Sequence, residues 1–167
     1  GYPESYYDKP LTKTLFSQLA FDIADNGDFY VSFEADSLVY RYDHDYNQLA
    51  CFGFAGRDMD LNYLRWDSYD QPWKERLAER MSRGFYNAVE YVDETGLLFR
   101  SYRKGGGSVT DGLQVYRDGV LVGDVDVPLG FRMAGYVEPY YYSYVVPDEE
   151  GERLYMFRFK WPSAPEE

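Results

Sequence analysis

The sequence predicts an all-β protein assembled from small antiparallel sheets, and three observations carry that expectation. Aromatic residues are abundant, with 19 Tyr, 11 Phe and 3 Trp making 20% of 167 residues, and rings with polar tips suit pleated, half-buried strands. Short apolar runs flank tight polar turns such as Asn26-Gly27 and Asp118-Gly119, which are strong hairpin signals. A third-strand pattern also returns, as "LVYRYD" at Leu38, "LQVYRD" at Leu113 and "LYMFRF" at Leu154.

The first unit runs from Leu19 to Phe54 as "LAFDIA", "DFYVSF", "SLVYRYD" and "QLACFGF", four strands joined by tight turns in the manner of a meander. Cys51, the one cysteine, lies in the apolar "LACFGF" and reads as a buried small hydrophobe. From Arg57 to Gly84 the period changes. "DQPWKERLAERMSRG" carries Asp70 as a helix N-cap, Pro72 in the first turn and Gly84 at the stop, predicting one helix over about 70–83. Trp73, Leu77 and Met81 recur at i, i+4 and i+8, a narrow apolar stripe expected to pack on the sheets.

The meander then resumes through "FYNAVEYVD", "LLFRSYRK", "LQVYRD" and "VLVGDVDVP", and again through "RMAGYVEP", "YYYSYVVPD" and "RLYMFRFKW". Leu113 and Leu154 stand 41 residues apart, within the 40–50 residue spacing of propeller blades. The longer step from Leu38 becomes comparable once the helical insertion is removed. The expected fold is therefore a β-propeller-like array of about three four-stranded blades with one inserted α-helix. A β-sandwich or partly open barrel is the alternative. The 167 residues read as a single domain or as a fragment of a larger propeller.

The run "FDIADNGDFYVSFEADSLVYRYDHDYNQLACFGFAGRD" resembles the NHL-type and TolB-like six-bladed β-propeller repeats of bacterial exported proteins. The likeness lies in Asn26-Gly27, Tyr30-Val31, Tyr40 to Asp43 and the "FGFAG" of Phe52 to Gly56. It implies a propeller-like fold and a periplasmic or cell-surface location, in some cases as a lipoprotein. It carries no catalytic signature. Three blades do not close a ring, so the end strands need cover from the rest of a larger protein, a second copy, or the helix and the N-terminal "YPESYYDKPLTKTLF".

Composition narrows the partners. A net charge of −12 repels phosphate backbones and anionic lipid heads, arguing against nucleic acid and membrane surfaces, and no apolar run reaches the length of a membrane-spanning helix. The one histidine, His44, sits in "YDHDYN" and could serve as a general base or metal ligand, but that context reads as a turn. Asp124 and Asp126 in "DVD" and Asp58 and Asp60 in "RDMD" could face a hard cation. Acidic pairs on solvent faces need none, and no cofactor or metal is expected. The "KGGGS" at Lys104 to Ser108 lacks the order of a phosphate-binding loop.

The best functional signal is "GYVEPYYYSYVV". Strand alternation places Tyr136, Tyr140, Tyr142 and Tyr144 on one face, a platform on which sugars or an extended peptide could stack. Packing between sheets is the competing use of such rings. Tyr140, Tyr142, Tyr144 and Trp66 are the expected contact residues of a non-catalytic binding module for a glycan, peptide or partner protein. Two alternatives are a hydrolase or lyase with acids at a propeller mouth, and a scaffold that self-associates through open sheet edges into a homo-oligomer.

Overall fold

The computed structural model describes residues 2–7, 15–64, 70–148 and 150–162. Leu19–Ile23 (β1), Phe29–Phe33 (β2), Val39–Tyr42 (β3) and Gln48–Phe52 (β4) form an antiparallel sheet in that order. Residues Trp73–Ser82 form the helix α1. A second four-stranded meander comes next, of Phe85–Val92 (β5), Leu97–Arg103 (β6), Thr110–Arg117 (β7) and Val120–Pro128 (β8). The last part contains Met133–Val137 (β9), Tyr140–Ser143 (β10), Val146–Pro147 (β11), Leu154–Tyr155 (β12) and Arg158–Phe159 (β13). Here β13, β10 and β9 make a three-stranded sheet, while β11 and β12 pair separately. The protein is thus all-β with one inserted helix. No helix among the described residues is long and apolar enough to cross a membrane.

The second sheet lies between the first and the three-stranded sheet, and its strand β6 is buried on both faces for that reason. In β6 every residue from Leu97 to Tyr102 is buried. Leu97 and Phe99 join Leu113, Val115, Phe131, Met133 and Tyr141 in a core against the third sheet. Leu98, with Val89 and Tyr116, faces Ala24, Tyr30 and Val39 of the first sheet and its turn. Strand β5 lies against β1 and β2 on one side and β9 on the other, so the opening strands of the three sheets are neighbours.

Three expectations are corrected. The strand around Leu154 does not repeat those around Leu38 and Leu113. Whereas β3 and β7 are third strands of four, "RLYMFRFKW" splits into β12 and β13 and Leu154 is exposed in the small hairpin. The split lets Phe157, Phe159 and Trp161 pack on the core shared by the second and third sheets, and Phe157 and Ser143 exchange hydrogen bonds across the break. Cys51 is exposed rather than buried. It lies on the outer face of the first sheet, where register aligns Phe21, Val31, Tyr40 and Cys51 in one row and Ile23, Phe29 and Tyr42 in another. Phe21 and Ile23 are each 59% exposed, so this face is apolar and uncovered among the described residues.

The third correction concerns α1. It starts after Pro72, whose position makes no side-chain cap, rather than at an Asp70 cap. Trp73, Leu77 and Met81 point to solvent, at 62%, 41% and 51% exposure, while Glu79 is buried. The charged stripe wins because its partners wait on the sheets. Arg80 pairs with the buried Glu34 and donates to the carbonyl of Leu15, with its guanidinium 4.5 Å from the centre of the Phe85 ring. Arg83 bridges Glu79 and Asp60, each at 2.8 Å. Gly84 comes next because a side chain there would meet Met59 and the carbonyls of Arg103 and Lys104.

One buried cation joins the first two sheets. Arg100, at 0% exposure, donates to Ser32 Oγ at 2.8 Å and to the carbonyls of Asp36, Ser37 and Leu38 at 2.5, 2.7 and 3.1 Å. Its guanidinium carbon lies 3.2 Å from the centre of the Tyr86 ring. Burial lowers its proton affinity. Arg100→Met should therefore destabilise the fold by roughly 3 kcal/mol, since each carbonyl left without a donor costs about 1–3 kcal/mol. Thermal unfolding checks this; a Tm within about 2 °C of wild type would contradict the assignment.

Candidate functional site

A cleft of about 600 Å³ opens beside β1 and β5, with Leu129, Gly130 and Val145 to Pro147 forming its far wall. Three arginines of this acidic protein line it: Arg80 from α1, Arg103 from the end of β6 and Arg132 from the segment before β9. Arg80 is committed to Glu34. Arg103 lies over the Phe85 ring at 5.7 Å and Arg132 over Tyr144 at 5.4 Å, and neither guanidinium makes an ion pair or hydrogen bond among the described residues.

The two acids of the cleft are engaged. Glu34 accepts from the Gln18 amide at 3.1 Å as well as from Arg80. Asp111 is 2% exposed and accepts from the Gly130 amide at 2.7 Å. Burial raises its carboxyl above the ordinary range, opposed by that hydrogen bond and by the charge of Arg103. The cleft therefore has a net positive lining, three guanidinium groups against two carboxyls.

A β-bulge supplies a further polar group. Tyr86 pairs with Tyr102 and Ala88 with Ser101, so Asn87 is an extra residue in β5, and bulges of this kind re-aim a side chain. Asn87 lines the cleft, and its side-chain oxygen is buried without a hydrogen-bond partner. A buried acceptor left unpaired is costly, so the position calls for a donor from outside the described residues. A site of this volume, apolar on one side with few polar groups on the other, has the build of a small-ligand pocket.

The tyrosines are distributed differently from the expected single row. Tyr136 and Tyr141 are cross-strand partners, with ring centres 4.8 Å apart, because the Glu138-Pro139 turn reverses the chain before alternation can carry through. Tyr141 is buried against Phe99 and Phe159. Tyr140 and Tyr142 share the opposite face of β10, where Arg158 and Lys160 lie 4.7 and 5.1 Å from the Tyr140 ring. A bulge after Tyr142 separates Tyr144, which instead stands beside Arg132 at the cleft rim, its amide bonded to the Arg132 carbonyl at 2.8 Å. Trp66 lies outside the described residues.

The acidic candidates have protein partners. Asp126 is held by Lys104 at 2.7 Å and by Arg57 at 2.5 Å, which keeps its carboxyl below the usual range. Asp124 accepts from the Tyr102 hydroxyl at 2.6 Å. Asp60 is lowered by the Asn62 amide and by Arg83, while Asp58 lies at the exposed start of this segment. His44 is exposed in the β3–β4 turn, which Asp43 organises through the amides of Asp45 and Asn47. In the loop that begins at Lys104, the lysine itself is buried and paired, so the segment is anchored at one end.

The arginine cleft is not legible in the sequence, since its members are scattered from Gln18 to Pro147. One signal is present: Tyr86 faces Arg100, and Val89 and Tyr91 pack towards the first sheet. The odd step from 86 to 89 marks the bulge. No family model matches the chain, and comparison with curated proteins and with solved structures finds no match.

Glu90 marks the junction of the three opening strands. It is on β5, near Asp22 of β1, and its side-chain oxygen lies 3.7 Å from where a Gly135 Cβ would stand on β9. Burial first, and then the charge of Asp22, push its carboxyl up to about 7. Asp22 itself accepts from the Tyr91 amide at 2.7 Å. An unfolded glutamate titrates near 4.3, so between that pH and about 7 the folded state holds a proton that the unfolded chain has released. Stability from this group falls as pH rises through that window, and the penalty is complete above it. Glu90→Gln should raise Tm relative to wild type at pH 8 more than at pH 4. Equal differences at the two pH values would contradict the placement of Glu90.

Proposed function

We propose that the chain is a non-catalytic binding module, organised as a propeller-like array, that takes its ligand in the arginine cleft. The single observation supporting the site is that Arg103 and Arg132 line the cleft with no ion pair among the described residues, beside an Asn87 whose buried side-chain oxygen is unpaired. A buried acceptor is costly to leave unsatisfied, and cations in excess of the local acids favour an anionic ligand. The tyrosine row of Tyr140 and Tyr142 is the weaker platform, because Arg158 and Lys160 already lie on the Tyr140 ring. The propeller-like organisation is supported by consecutive meanders stacked face to face with their first strands adjacent. An exported, periplasmic or surface location rests on the resemblance to bacterial propeller repeats, whereas the expectation of a glycan, peptide or protein ligand comes from the tyrosine-rich segment.

Ligands from a peptide and glycan panel should be detected by thermal shift and then retested on two variants. Leu129→Trp, at a 47% exposed wall position, should weaken binding by obstructing the cleft whatever the ligand's charge. Tyr142→Ala should leave binding unchanged. The reverse pattern would move the site to the tyrosine row.

The uncovered outer face of the first sheet supports a second reading, self-association. The broad face carrying Phe21, Ile23, Phe29 and Val31 suits burial against another sheet, so the contact would use a face rather than the open edges. Sedimentation velocity should show concentration-dependent association of the wild-type chain and its loss in Phe21→Lys. A monomer across the micromolar range would refute this reading.

A further inference from the structure

Resting on the cleft being the binding site, we propose that its occupant is the free C-terminus of a peptide ending in an aliphatic residue. The terminal carboxylate is held by Arg103 and Arg132, and the last amide N–H by Asn87.

Four observations lead to this chemistry. Arg103 and Arg132 offer planar donor forks, and the acids beside them are already engaged by Arg80 and by the Gln18 and Gly130 amides. The charge of Arg103 also acts on Asp111, but the N–H donors of both guanidinium groups are unused among the described residues, and a carboxylate matches their geometry. The unpaired Asn87 oxygen is buried behind this lining and meets a ligand only when the side chain turns into the cleft, where it accepts from a ligand N–H. A peptide C-terminus supplies both groups, its carboxylate and its last amide N–H belonging to the same residue.

The walls then select the body of the ligand. Leu129, Val145, Val146 and Pro147 are aliphatic, suited to a Leu- or Val-type side chain through burial of apolar area. An acidic sugar would also supply a carboxylate and hydroxyl donors, but sugars dock on bare aromatic faces. The ring of Phe85 is overlain by Arg80 and Arg103, and that of Tyr86 by Arg100. The cleft thus lacks a free aromatic platform, and the peptide is the better fit. Capture of a terminal carboxylate is a recurring mode of peptide recognition.

The test uses the 167-residue chain, isotope-labelled, with three probes: acetyl-Gly-Gly-Val-Leu with a free C-terminus, the same peptide as its C-terminal amide, and glucuronate. The free acid should shift the Asn87 and Gly130 signals, and the amide should bind roughly tenfold more weakly or worse, as expected for loss of a charge-assisted hydrogen bond. Arg132→Gln, at an exposed position that leaves the core intact, should weaken the free acid by a similar factor, and added salt should weaken it further. Equal binding of acid and amide, or of wild type and Arg132→Gln, would overturn the carboxylate assignment while leaving the cleft as a site. Binding of glucuronate without the peptide would overturn the peptide. No shift at Asn87 or Gly130 with any probe would overturn the proposal, and a panel ligand still weakened by Leu129→Trp would show that the cleft reading survives it.

Discussion

The guanidinium of Arg100, sealed between two sheets, is the constraint on which the rest of the architecture depends. A cation at this depth is tolerated only if its hydration is replaced, and here the replacement is a turn of the first sheet that points three carbonyl oxygens inward. Lysine could not substitute, because a single ammonium cannot span three carbonyls, a hydroxyl and a ring at once. The same turn is gripped from its other side. Tyr6 is fully buried and accepts from the Ala35 amide at 2.9 Å, and Asp36 accepts from Ser5, Tyr40 and the Leu38 amide. Gly53 passes so close to the Ser37 carbonyl that a side chain has no room.

With that turn held, the elements beside it are held too. Glu34 enters the turn as a buried carboxylate, and Arg80 of the helix satisfies it. The helix is accordingly held by its charged face, which leaves Trp73, Leu77 and Met81 outside. The Glu34 carbonyl also accepts from the Tyr86 amide at 2.9 Å, which ties the first sheet to β5 next to the bulge at Asn87. The cleft is therefore a product of the same network: Glu34 and Arg80 form one wall, and the bulged strand delivers the unpaired amide oxygen.

Stacking three sheets creates an inequality among faces. The middle sheet is covered twice and carries the densest core. The outer sheets are each covered once, and they use their free faces differently. On the third sheet Tyr140 lies under Arg158 and Lys160, which places charge on that face. On the first sheet Phe21 and Ile23 stay bare. Elsewhere the net negative charge is handled locally, as Asp126 with Arg57 and Lys104 shows, whereas the arginines of the cleft exceed its acids.

Much of the local structure was legible in the residues. The Asn26-Gly27 and Asp118-Gly119 turns, the alternation in β1 to β8 and the helix between two meanders arise from short-range sterics, which neighbouring residues decide between themselves. The tyrosine-rich segment was legible only in part, since Tyr140 and Tyr142 do share a face but the Glu138-Pro139 turn and the bulge after Tyr142 reset the pattern for Tyr136 and Tyr144. By itself the sequence determined the strand-forming units, their turns and the all-β class, because each depends on contacts a few residues long. Only the tertiary structure decided which helix face is buried, which sheet face stays bare and where three distant arginines meet a bulged asparagine, because those outcomes depend on what a partner from elsewhere in the chain offers at the point of contact.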